Sequence, residues 1–114
     1  MEQSILTSIK KLLGIPEEYT HFDQDLIMHI NSVFMILQQL GVGPEDGFFI
    51  EDKSIYWEDY NADPTQLQAI KSYMHLKVKL LFDPPASGTI MECYKQMINE
   101  LEWRLNVAVD PAQS

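Results

Sequence analysis

The chain has 114 residues, 46% hydrophobic and 22% charged, which is enough for one domain with a modest core. Seventeen acids against eight bases leave a formal charge of −9, and the bases are scattered apart from Lys10-Lys11 and the group Lys71, Lys77, Lys79. Gripping duplex DNA needs clustered cations, so the balance argues against that role and for an acidic surface that DNA slides past or a basic protein meets.

In chain order, residues 4–13 carry Ile5, Leu6, Ile9, Leu12 and Leu13 at helical spacing, and Gly14 follows where a helix ends in the left-handed conformation. "IPEEYTHFD" is a connector. Asp23 is expected to cap a second helix, whose Leu26, Ile30, Val33, Leu37 and Leu40 form one stripe that Ile27 and Phe34 widen. Gly41 closes it. The pattern then changes: Phe48, Phe49, Ile50 and Ile55, Tyr56, Trp57 are aromatic or β-branched and flank Asp52-Lys53-Ser54. That spacing predicts a small β-hairpin over about residues 47–58, with its aromatic face laid on the helices or on another subunit.

Asp63-Pro64 restarts a helical pattern with a capping acid and a proline at the first position. Leu67, Ile70, Met74, Val78 and Leu81 make one stripe, and Tyr73, Leu76 and Leu80 a second, so this helix expects neighbours on two sides. It stops at "FDPP", because proline disfavours helical geometry before it and has no N–H to give. Thr89 to Glu92 match a capping box, and Ile90, Tyr94, Met97, Leu101 and Leu105 line a last helix. The two long helices around the prolines are expected to return antiparallel, so the break is a corner. Residues 107–114 read as a mobile tail. The fold class that follows is all-α: four main helices in a bundle (residues 1–106) with the hairpin inserted between the second and third.

No apolar run nears the ~20 residues of a bilayer span. Residues 1–14 lack a signal peptide's layout, and with Cys93 the only cysteine no internal disulfide forms, which suits synthesis in a reducing cytosol.

"FDQDLIMHINSVFMILQQLGVGPEDGFFI", "IYWEDY", "HLKVKLLFDPP" and "INELEWRLN" together resemble the small head–tail connector (adaptor) proteins of tailed bacteriophages. The resemblance runs from about residue 5 to residue 107 and rests on the order of packing residues. It implies a helical subunit made in the host cytoplasm and placed in the virion neck. There it joins a ring, typically dodecameric, that docks on the portal protein and receives a downstream stopper or tail protein. In such families the C-terminal part commonly reaches the portal, and DNA passes through the bore without specific binding. The resemblance implies neither catalysis nor a cofactor. A stopper or tail-completion protein, expected to be richer in β structure, is the near alternative; an acidic DNA mimic that blocks a nucleic-acid-binding protein is a more distant one.

Helical geometry and composition single out residues for the subunit or portal contact that the resemblance implies. Trp103 lies opposite the apolar stripe of the last helix, with Arg104 beside it and Val107 and Val109 beyond. Lys77 sits between the two stripes of its helix; its stem lies along apolar surface, or it pairs with a neighbour's acid. Lys71, His75 and Lys79 share an outer face. Met28 and Met35, a heptad apart, are expected first to pack under the hairpin and second to meet a neighbour. Phe48 and Trp57 complete the set from the aromatic insertion. His21, His29, His75 and Cys93 show no metal-ligand spacing, and Cys93 is expected as a small buried residue. Glu51, Asp52, Glu58, Asp59 and Asp63 do not match a calcium loop and read as solvated charge, or as groups facing a basic partner or the bore.

Overall fold

In the computed structural model the described residues are 4–60 and 64–109. They form five helices: α1 (Ile5–Leu12), α2 (Asp23–Gln39), the single-turn α3 (Trp57–Tyr60), α4 (Pro64–Phe82) and α5 (Gly88–Val109). The protein is all-α. Helix α4 is the hub, packing on α1, α2 and α5, which accounts for its two apolar stripes. Its Ile70, Tyr73, Met74, Leu76 and Val78 are all buried.

Each helix boundary has a local cause. Ser4 caps α1, its hydroxyl accepting from the Thr7 N–H at 3.2 Å. Gly14 follows the end of α1 with φ +81°, as the sequence predicts. Asp23 does not cap α2. It is the helix's first residue, and its carboxylate turns back to α1, where Oδ1 faces Lys10 Nζ at 2.9 Å. Lys10 is itself buried and also donates to the carbonyls of Glu17 (2.9 Å) and Tyr19 (2.8 Å). The ammonium thus donates two hydrogen bonds and faces the carboxylate as an ion pair, and the connector between α1 and α2 is tied to the core.

The corner after α4 forms as expected. The Asp83 N–H bonds the Lys79 carbonyl at 2.9 Å, and Phe82 meets Phe22 edge-on at 5.2 Å, so the end of α4 lies at the start of α2. Helix α5 begins earlier than the Thr89 capping box allows. Its cap is Ser87, whose hydroxyl accepts from the Ile90 N–H at 3.3 Å and whose carbonyl accepts from Met91. Tyr73 donates to Glu102 at 2.7 Å, and Ser72 shares a hollow with Met97, Leu101 and Arg104; with only residues 83–87 between the helices, contacts this far from the corner on both require an antiparallel return. Asn106 also reaches the Leu40 carbonyl at 3.1 Å and ties α5 to the end of α2. Helix α5 continues through Val109, past the expected start of the tail; residues 110–114, like Asp63, the expected cap of α4, lie outside the described residues.

The expected β-hairpin does not form, and there is no strand among the described residues. Its backbone groups find other partners. Asn31 on α2 behaves as a strand edge in one side chain: its Oδ1 accepts from the Ile50 N–H at 2.8 Å and its Nδ2 donates to the Ile50 carbonyl at 3.0 Å. The Ile55 carbonyl accepts from the first N–H of α1 at 2.9 Å, beside an isolated bridge between Ser4 and Tyr56. Trp57 then opens α3. The turn over residues 52–54 is real but belongs to a loop, with the Ser54 N–H and hydroxyl both donating to Asp52 Oδ1. These two bonds hold the Asp52 carboxyl below its ordinary range.

Phe48, Trp57 and Tyr60 turn inward, onto helices. Phe34 meets Phe48 at 5.1 Å and Tyr60 at 4.8 Å, and Phe48 meets Tyr60 at 5.1 Å. Tyr60 donates to the Val42 carbonyl at 3.4 Å, and burial pushes its phenol up to about 12. Gly43 passes over this ring at φ +90°, where a Cβ would meet Tyr60 atoms at 2.7 Å. Backbone conformation and space both demand glycine there.

Candidate interaction surfaces

The sequence-predicted contact residues separate into outer and inner sets. Trp103 is 67% exposed on the outer face of α5. Arg104 beside it is exposed and pairs with Glu100 one turn back at 2.6 Å. Val107 is half-buried; the Val109 side chain lies outside the described residues. Met28 and Met35 are 63% and 62% exposed on α2, so the expectation that they pack under the insertion fails: the insertion covers the Asn31 and Phe34 side of α2 instead. Lys77 is half-buried on α4, as a stem along apolar surface requires.

The insertion supplies the largest correction. Trp57 is 2% exposed, and its Nε1 donates to Ser8 Oγ at 2.8 Å, so its indole is held between α1 and α4 as part of a groove floor rather than projecting outward. Phe48 is half-buried within the aromatic group. Phe49 faces outward at 66% exposure and Tyr56 stands 39% exposed; neither belongs to the expected contact set. Alternation explains the exchange: with Phe48 and Ile50 held inward, the side chain between them must point away. Leu12, Leu81, Ile90 and Met97 are also about half exposed. On α5 the buried positions are Ile98 and Leu105, so the core face is turned from the expected stripe and leaves Ile90 and Met97 at its edge. Cys93 is exposed rather than buried.

Between α1 and α4 lies a groove of about 430 Å³ lined by Ser8, Lys11, Leu12, Trp57, Gln68, Lys71, Ser72 and His75. Lys71 Nζ stands 5.7 Å from the Trp57 ring centroid, a cation over an aromatic face. Burial, and then the charge of Lys79, hold His75 below its ordinary value; Lys79 itself pairs with Asp83 at 2.9 Å. The shared outer face expected for Lys71, His75 and Lys79 thus divides between this groove and a surface ion pair. No group of three or more potential metal ligands occurs among the described residues, and no helix there is long and apolar enough to cross a membrane.

The arrangement is one of packing surfaces and exposed anchors on a helical frame. A family model described as phage connector protein matches residues 5–112, nearly the whole chain. The chain belongs to the phage connector protein family. Its general role is therefore that of a head–tail connector in a bacteriophage particle. Comparison with curated proteins and with solved structures gave no match.

Proposed function

We propose that this connector is a ring-forming adaptor that docks on the portal in the virion neck, continues the DNA channel and receives the next neck or tail component. The observation that carries the reading is family membership over residues 5–112. Surface chemistry supports it. Large apolar side chains stand exposed at Met28 and Met35 on α2, at Phe49 in the insertion and at Trp103 on α5. A ring subunit needs at least two dissimilar contact surfaces, because a head-to-tail interface joins different patches of neighbouring copies. The net charge of −9 suits a wall past which DNA moves without binding. The all-helical described region favours an adaptor over a stopper, for which more β structure is expected.

Co-sedimentation with portal particles tests the reading. Binding that saturates at several copies per portal supports it; protein that stays at the top of the gradient at every concentration overturns it.

A further inference from the structure

The α1–α4 groove has no acid in its lining among the described residues, and the loop over residues 45–52 combines acids with an exposed aromatic ring. In the α1–α4 groove, Lys11 and Lys71 supply two cations, Leu12 an exposed apolar wall and Trp57 an aromatic floor. Among the described residues neither lysine has an ion pair. The loop over residues 45–52 carries Glu45, Asp46, Glu51 and Asp52 around Phe49. Its shape is set in advance: Gln38 donates to the Glu45 carbonyl at 2.9 Å, Asn31 holds both backbone groups of Ile50, and Ser54 holds Asp52. A loop already ordered with its ring outward loses little freedom on docking.

We propose that the α1–α4 groove receives the loop over residues 45–52 of a second copy of this chain, Phe49 entering beside Leu12 and Trp57 while the loop's carboxylates face Lys11 and Lys71. The partner is chosen by charge. Four acids meet two lysines that have no ion pair among the described residues, in a protein with a net charge of −9. Geometry agrees. Ser8, Lys11 and Leu12 face the groove, whereas Leu6, Thr7 and Lys10 face the hollow that Glu51 and Asp52 border, so groove and loop flank different sides of α1. A molecule with socket and plug on different sides joins head to tail, the contact that closes rings larger than a dimer. The cavity volume lies within the ~300–1,000 Å³ of ordinary binding pockets.

The inference rests on the ring reading, and cross-linking separates the two. In a C93S background, which removes the only native thiol, Asp46→Cys and Gln68→Cys place one thiol on the loop and one at the groove, both at exposed positions, and keep the Phe49 ring. The full chain is assembled on portal particles, oxidised, and run without reductant; a parallel sample is imaged. The double variant is expected to give a ladder of dimers, trimers and higher species, and each single variant none. Rings in the images with no ladder overturn the groove assignment and leave the ring reading standing. Monomers alone, with bare portals, overturn both. In a second arm, Lys71→Glu should weaken assembly at least tenfold and Glu51→Lys in the same chain should restore part of it. Assembly indifferent to both changes contradicts the proposal.

Discussion

Asn31→Ala removes the clamp that turns the aromatic insertion into a loop on α2. Two bonds are lost, at 2.8 and 3.0 Å, both to the backbone of Ile50, whose side chain is 1% exposed. A buried backbone group left without a partner costs ~1–3 kcal/mol. Asn31 is only half-buried, so water reaches one side of the site, and the low end applies to each bond: about 2–3 kcal/mol in all. That is a large part of the ~5–15 kcal/mol that holds a domain together. With a urea slope of ~1–3 kcal/mol/M, the unfolding midpoint should fall by about 1–2 M. Hydrogen exchange at the Ile50 amide should accelerate in the same variant. Asn31→Asp is the informative partner: it keeps an acceptor for the Ile50 N–H but sets a carboxylate against the Ile50 carbonyl, and should be at least as damaging. A midpoint within ~0.3 M of wild type, with Ile50 exchange unchanged, would refute the clamp.

Lys10→Ala leaves Asp23 without its counter-charge and two carbonyls without a donor, and should cost about 3–5 kcal/mol by urea unfolding. Gly43→Ala meets both a positive φ and the Tyr60 ring; a loss above ~1 kcal/mol, with changed near-ultraviolet tyrosine signal, is expected. Tyr60 ionises near 12 in the folded chain and near 10 when unfolded, so above pH 10 the unfolded state releases protons the folded state keeps. Stability should therefore fall from pH 10 to 12, less steeply in Tyr60→Phe, as followed by urea midpoints across that range. Trp103→Ala should leave the subunit's unfolding free energy unchanged, within ~0.5 kcal/mol, while reducing co-sedimentation with portal particles.

Much of the frame was legible because its causes are local. Gly14, Pro64 and the prolines after Asp83 punctuate helices by backbone chemistry that needs no tertiary context. Trp103 could be placed on the outer face from 100° per residue alone. The errors arise where a distant group competes. Residues 48–50 and 55–57 have strand-like chemistry, but Asn31 and the N-terminus of α1 claim their backbone groups, and neither is visible from the segment itself. Asp23 has the composition of a cap and is taken by Lys10 instead. Trp57 looks like an anchor until Ser8, 49 residues away, accepts its N–H. The groove was hidden for the same reason: Lys11 and Lys71 lie sixty positions apart, and only the packing of α1 on α4 brings them together.

The most direct measurement is imaging of portal particles by electron microscopy before and after addition of the purified protein. The account predicts a new ring-shaped layer beneath each portal, built of several copies, with an open centre. Portals that remain bare, or that gain a single asymmetric density plugging the opening, would contradict it.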